Sequence, residues 1–255
     1  LAVLTRRPPP SLDRAVKQEV FMTGPEFVTV ELFLASSDRS PHAAELAEWT
    51  SAVADLSTAA DARVVVHDAT ALGGLAHGDE TGSAPSFVAL LQLRQLPNGL
   101  SAQILAALAA ALDQWPWLDR ERSTVVVGPE LVVVPGEEPL LLAMALRRWD
   151  AMSRAEFQRY WSTNHAELGR QVPGSQGYRQ VHTDAELTNQ VRGILGVNGP
   201  DYDGVAIACY ADQAAFLGIM ANEAVVQRLL EDERKFIDHS AAAMVVGYDV
   251  DKQRT

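Results

Sequence analysis

Pro135-Gly136-Glu137-Glu138-Pro139, followed at once by the apolar run Leu140-Leu141-Leu142-Ala143-Met144-Ala145-Leu146, divides the sequence into two stretches of similar length. Two prolines and a glycine within five residues oppose both helix and strand, so this segment reads as a linker. Upstream of it, residues 26–35 read as a strand and 41–56 as a helix, with Leu46, Trp49 and Val53 at helical spacing. Short strands follow at 62–67 and 87–93, separated by a Gly- and Ala-rich loop over 69–86. A helix over 101–115 and a strand over 123–134 complete the stretch. Downstream, residues 140–148 read as a strand. Ser153 opens a helix with a capping box, because Glu156 stands three residues later. That helix runs to about residue 169. Strands are expected over 177–182, 204–210 and 242–250, with a polar loop over 184–202. A helix is expected over 213–236, broken near Asn222.

Both stretches therefore have the order β-α-β-β-α-β, a ferredoxin-like half. Local echoes support a duplication: Ala44-Glu45-Leu46 with Trp49-Thr50 parallels Ala155-Glu156-Phe157 with Tyr160-Trp161. A four-stranded antiparallel sheet with both helices on one face leaves its other face uncovered, and two such sheets can cover each other. The expected fold class is α+β, with two duplicated ferredoxin-like halves forming one barrel and a small polar-tipped hollow between the sheets. The expected divisions are an N-terminal arm over 1–24, a degenerate first half over 25–135, a linker over 136–139 and a second half over 140–255. The molecule is expected to be a monomer with an intrachain pseudo-dimer, or a homodimer of it.

Composition narrows the partners. Acidic residues number 33 against 21 basic ones, a formal charge of −12. Such a field repels nucleic acid and anionic membrane. No stretch reaches the roughly 20 apolar residues of a membrane helix. The first ten residues hold Arg6, Arg7 and three prolines and do not read as a secretory signal, so a cytoplasmic location is expected. The only cysteine, Cys209, lies in an apolar strand and reads as a buried, inert thiol.

The run from Met152 to Ala166, Met-Ser-Arg-Ala-Glu-Phe-Gln-Arg-Tyr-Trp-Ser-Thr-Asn-His-Ala, resembles the Ser-x-x-Glu-Phe-x-x-Tyr-Trp and His-Ala pattern of the EthD family of dimeric α/β-barrel proteins. Tyr178-Arg179-Gln180-Val181-His182, Tyr202-Asp203-Gly204-Val205-Ala206 and Asp232-Glu233-Arg234-Lys235-Phe236-Ile237-Asp238 resemble its later segments. The resemblance spans about residues 138–249. The first half departs from it, since His165 falls on Ala54 when the two helices are aligned. The resemblance implies a dimeric-type α/β barrel. Its wider superfamily includes cofactor-free monooxygenases, lactone isomerases, polyketide cyclases, decarboxylases and some haem enzymes, and EthD-like members are linked to catabolic and secondary-metabolite pathways.

Candidate functional residues cluster in the second half. Phe157, Trp161 and His165 are four apart and share a helical stripe, which sets His165 on or beside an apolar face where a neutral imidazole is favoured. Tyr160 and Asn164 lie on the neighbouring stripe. Tyr178, Gln180 and His182 share one face of a strand, an unusual polar set for a dry core. Asp238 follows the last helix, with Asp232 and Glu233 one to two turns earlier. A carboxylate there could fix a histidine tautomer. The expected catalytic residues are His165, His182 and Asp238. The expected substrate contacts are Tyr178, Gln180, Asn164, Tyr160 and Arg147. No Gly-rich nucleotide loop, Walker lysine or nucleophile elbow is present, and His67, His77, Asp79 and Glu80 lack metal-ligand spacing. The resulting expectation is a cofactor-independent enzyme, without cofactor or metal, acting on a small apolar aromatic or polyketide-like molecule by proton abstraction. The alternatives are a non-catalytic ligand carrier or sensor, and an assembly protein with a filled, dry barrel.

Overall fold

The structure is a computed structural model that describes residues 27–37, 61–72, 86–95 and 101–250. The expected arm over 1–24, the helix over 41–56 and the loop residues His77, Asp79 and Glu80 lie outside the described residues.

The first half contributes β1 (Phe27–Ser36), β2 (Asp61–Val66), β3 (Phe87–Gln95), α1 (Ala102–Leu112) and β4 (Leu118–Val134). The second contributes β5 (Leu140–Leu146), β6 (Tyr178–His182), β7 (Gly204–Tyr210) and β8 (Ala243–Tyr248). All eight strands form one antiparallel sheet in the order β2-β3-β1-β4-β6-β7-β5-β8. Within each half the order is that of a ferredoxin-like sheet. The halves join where β4 pairs with β6. The far edges meet through the Val65–Asp249 bridge and the Val250 N–H to Val64 carbonyl bond of 3.0 Å, so the sheet nearly closes into a barrel. The expected duplicated fold is present.

Alternation explains how each strand serves two layers. On β5, Leu141, Ala143 and Ala145 point into the barrel, where they join Phe33, Val65, Leu90, Val126, Val181, Ile207, Cys209 and Val245. The two sheet faces are thus buried against each other, each large aliphatic side chain contributing about 1.5–3 kcal/mol by leaving water. The outward face of the first half, including Val30, Leu32, Leu91 and Val125, packs under α1 through Leu105, Leu108 and Leu112.

Two local expectations change. Residues 184–202 do not form a plain loop: they contain the helix α4 (Ala185–Leu195). Asp184 caps it by accepting from the Glu186 and Leu187 N–H groups, and Thr188, Val191 and Leu195 are its buried stripe. The polar residues that suggested a loop occupy its solvent face. The second change concerns the polar face of β6. Tyr178, Gln180 and His182 point toward the helices, whereas Arg179 and Val181 point into the barrel. The hollow expected between the sheets is therefore not lined by the tyrosine, glutamine and histidine. Alternation assigns residues to a common face but does not say on which side of the sheet the helices lie.

The break expected near Asn222 is present. Helix α5 (Gln213–Met220) ends there, and Asn222 caps α6 (Glu223–Glu233) through its side-chain oxygen and the Val225 N–H.

Candidate functional site

The site lies between β6 and two helical segments, and it starts from the Ser153 capping box. Ser153 Oγ accepts from the Glu156 N–H, and the Glu156 carboxylate accepts from the Ser153 N–H at 2.9 Å. This starts α2 (Arg154–Tyr160). The helix widens into a π-helical turn over Trp161–His165 and resumes as α3 (Ala166–Arg170). Wide turns of this kind recur at functional sites because they reposition side chains within a continuous helix. Here the turn begins and ends on its two buried residues, Trp161 and His165.

His165 is the centre of the first polar group. Its Nδ1 lies 3.0 Å from Oδ2 of Asp232 on α6. The other oxygen of Asp232 accepts from the Tyr160 hydroxyl at 2.6 Å and from Lys235 Nζ at 3.0 Å. Burial pushes the Asp232 carboxyl up, but the hydrogen bonds from Tyr160, Lys235 and His165 outweigh it and hold the group below its ordinary value. Burial also lowers the His165 pKa, an effect only partly offset by Asp232. The imidazole is accordingly neutral near pH 7, with its proton on Nδ1 facing the carboxylate and its lone pair on Nε2.

Nε2 faces Glu233. The carboxylate oxygen Oε1 is 4.0 Å away, beyond hydrogen-bond length, and the other oxygen is 3.4 Å from His239 Nε2. Burial, reinforced by the neighbouring Asp232 charge, pushes the Glu233 carboxyl up to about 7. The consecutive Asp232 and Glu233 thus have opposite electrostatic fates: one is held ionised, the other is poised between states.

The second polar group is on β6. The Tyr178 hydroxyl accepts from Trp161 Nε1 and from Gln180 Nε2, each at 3.0 Å. Both of its acceptor positions are taken, so its own proton is left to donate. Gln180 Nε2 also donates to the Trp161 carbonyl, which fixes the amide orientation and leaves Oε1 3.1 Å from His182 Nε2. His182 lies against Trp161 with ring centroids 4.7 Å apart, and burial pushes its pKa down to about 4. Burial pushes Tyr178 up. The edge-on approach of His165 to Tyr178, with centroids 6.5 Å apart, connects the two groups.

Of the expected residues, the structure brings together His165, Tyr160, Tyr178, Gln180 and His182. It sets three aside. Asp238 caps the short helical turn His239–Ala241, accepting from the Ser240 N–H and hydroxyl, and its place beside His165 is taken by Asp232. Asn164 is exposed and accepts from Thr163 Oγ1. Arg147 donates to the Asp201 carbonyl at 3.0 Å. His67 accepts from the Val246 N–H at the barrel closure. Glu233 is the residue sequence reasoning undervalued. The available signal was its place in the run Asp232-Glu233-Arg234-Lys235-Phe236-Ile237-Asp238, which resembles a later segment of the EthD pattern.

Two glycines make room for this layer. A Cβ on Gly204 would stand 2.4 Å from Trp161 Cζ3, and one on Gly169 would stand 2.7 Å from the Tyr178 ring. Gly204→Ala is expected to destabilise the protein by about 1–3 kcal/mol, the usual cost of overpacking a filled core. Urea denaturation measures this. Unchanged stability would mean that the Trp161 layer yields.

A separate cavity of about 410 Å³ lies between the turn at Pro173 and Gly174 and helices α5 and α6, lined by Gln176, Ile219, Asn222 and Val225. It carries no ionisable group. Among the described residues, no group of three or more His, Cys, Asp or Glu side chains could hold a metal ion, and no helix is long and apolar enough to cross a membrane.

Comparison with solved structures finds two mutant chlorite dismutases from Candidatus Nitrospira defluvii. Each is 11% identical with a TM-score of 0.51, and they cover 92% and 90% of this chain and 97% and 94% of their own. A haem-binding protein from Thermus thermophilus is 14% identical over 90% of this chain and 93% of its own, with a TM-score of 0.46. Likeness at this identity shows the fold alone. The expectation of a cofactor-independent enzyme is nonetheless overturned: the solved structures that share the fold at a TM-score of 0.51 are chlorite dismutases, so the fold gives no warrant for cofactor-free chemistry. The reading of a cofactor-free enzyme that acts by proton abstraction is withdrawn with it.

A haem-sized group does not fit the residues around His165 as they are packed. Glu233 stands in front of Nε2, and the space between helix and sheet is taken by Phe157, Trp161 and Phe236, all wholly buried. Phe236 lies 5.2 Å from the His165 ring and 5.6 Å from Phe157, centroid to centroid. A macrocycle at Nε2 would have to displace this layer. Haemin added to the purified protein is expected to give no His165-dependent Soret band; a band lost in His165→Ala would reverse this conclusion.

No curated protein matches the chain. The EthD domain family does match, over residues 150–240, the segment that contains the whole His165, Tyr178 and Glu233 arrangement.

Proposed function

We propose that the second half binds a small molecule beside His165, on the side where Glu233 and His239 approach solvent, and that binding is coupled to the protonation of Glu233. The observation that supports this most is one juxtaposition: a carboxyl pushed up to about 7 faces an imidazole nitrogen across 4.0 Å, and Asp232 holds that imidazole's other nitrogen. A group that titrates near the working pH can both give and take a proton. His165 serves as the fixed acceptor opposite it, and its tautomer is set by Asp232. The Tyr178 proton, left over after two donors occupy its oxygen, is available to an acceptor atom of the ligand. Gln180 and His182 hold Tyr178 in place. In this reading Asp238, Asn164 and Arg147 serve the scaffold.

The test uses 4-nitrophenol, whose ionisation is visible by absorbance. Bound to the protein, its ionisation is expected to be displaced from that of the free phenol, because an ionised Glu233 disfavours the phenolate beside it. Glu233→Gln should bring the ionisation back toward that of the free phenol while leaving binding within about threefold, and His165→Gln should weaken binding. A phenol that binds with the same pH profile in wild type and Glu233→Gln, or that does not bind, would count against the proposal.

A further inference from the structure

The inward face of the barrel carries a second polar group, separated from the first by the thickness of β6. Arg179 stands between Tyr178 and Gln180 in sequence but points the other way. Three arginines converge there on one carboxylate. Glu137, from the linker between the halves, meets Arg63, Arg94 (2.7 Å) and Arg179 (3.5 Å). The three guanidinium side chains are only 5%, 11% and 2% exposed, while that of Glu137 is 48% exposed. The carboxylate therefore sits at a mouth, with the arginines behind it. Nη1 of Arg63 and Nε of Arg179 are buried and make no hydrogen bond among the described residues. Both atoms belong to guanidinium groups that meet Glu137 through another nitrogen, Nη2 of Arg63 and Nη1 of Arg179.

The local charges add a constraint. Glu130 takes Arg94 at 2.9 Å and lies 4.0 Å from Arg179, and Asp249 lies 4.0 Å from Arg63. Glu31, deeper in the barrel, hydrogen-bonds Gln92 and is pushed up to about 8 by burial, so near pH 7 it is mostly neutral. Three arginines then face Glu130, Asp249 and Glu137. Among the described residues, the three arginines would face two ionised carboxylates, Glu130 and Asp249, in a low-dielectric space if Glu137 swung out. Whatever takes its place must carry negative charge and present several acceptor oxygens.

We propose that this mouth is a second ligand site, for a small oxyanion of the carboxylate or phosphate class, and that Glu137 is its tethered occupant, displaced when the ligand binds. Planar guanidinium forks suit such ligands because they donate two parallel hydrogen bonds. The tether makes Glu137 a competitor at high effective concentration, which weakens apparent affinity in the intact chain.

Calorimetric titration of the full chain with inorganic phosphate and, separately, acetate, at constant ionic strength in chloride, tests the proposal. Wild type is expected to bind weakly, and Glu137→Gln at least about tenfold more tightly. Adding Arg63→Met to Glu137→Gln should remove the gain. Arg63→Lys in the same background keeps the charge and guards against a folding defect, and should also lose most of it because the fork is gone. Equal affinity in wild type and Glu137→Gln, or tight binding that survives both Arg63 changes in folded protein, would overturn the site. The second outcome would mark an adventitious surface ion.

Discussion

Glu31→Gln is expected to stabilise the protein by about 3 kcal/mol at pH 7, a large effect for a single polar substitution. Glu31 is wholly buried on the inward face of β1, and one of its oxygens makes no hydrogen bond among the described residues. Burial pushes its carboxyl from 4.5 up to about 8, with Glu130 adding to the rise, while Gln92, Arg179 and Arg94 oppose it. Between these two values the folded protein holds a proton that the unfolded chain has released. The unfolded state binds fewer protons, so stability falls as pH rises through this window. The amide cannot ionise and does not incur this loss. The gain should therefore be near zero at pH 4, grow through pH 5 to 7, and level off above pH 8. Urea denaturation of both proteins at several pH values measures it. A difference that is flat with pH would mean that Glu31 ionises in the folded barrel, and Glu31 would then itself offset the arginine charge that the proposed oxyanion is to meet when Glu137 leaves.

Much of this architecture was legible in the residues alone. Pro135 to Pro139 marked the division, and the repeated element order implied two sheets with one open face each. The sheet order then follows from ferredoxin-like pairing in each half, joined where β4 meets β6. Alternation also grouped Tyr178, Gln180 and His182 correctly on one face. It did not say which face. That depends on which side the helices pack, a tertiary fact with no local signal in a five-residue strand. The helix α4 was missed for a related reason. Its solvent face is polar enough to resemble a loop, and only packing against β4 and α1 reveals Val191 and Leu195 as its buried stripe.

The site was legible in part. His165 was placed on a helical stripe with Phe157 and Trp161, and both of those are its buried neighbours along the chain. The capping box gave the helix start. Of Asp232, Glu233 and Asp238, the last was named as the carboxylate, and spacing along the chain did not single out Asp232, which lies beside His165. Asp238 instead serves its own backbone turn, a common use of Asp before a short helix. The barrel arginines were not singled out at all. Arg63, Arg94 and Arg179 come from three strands far apart in sequence, and Glu137 lay within what read only as a linker.

Asp232→Ala should lower stability by about 3 kcal/mol at pH 7 and dismantle the proposed site together. Asp232 is buried and is the shared acceptor for Tyr160, Lys235 and His165. Removing it strands the His165 Nδ1 donor beside Phe236, and an unsatisfied buried donor costs about 1–3 kcal/mol on top of the lost charged hydrogen bonds. The tautomer preference of His165 is lost as well, so Nε2 no longer reliably presents its lone pair to Glu233. Glu233 also loses the neighbouring charge that helps push its carboxyl up, and its pKa should fall. The pH dependence separates this from simple cavity formation. Because hydrogen bonds hold the Asp232 carboxyl below 3.8, its contribution to stability is present above that value and disappears as pH falls through the folded-state pKa. The gap between wild type and Asp232→Ala should therefore narrow below about pH 4. Carbon-detected NMR titration of Glu233 in the same variant supplies an independent readout. A Glu233 carboxyl that still titrates near 7 without Asp232 would mean that burial alone sets it, and Asp232 would then be a structural anchor with no electrostatic role at the site.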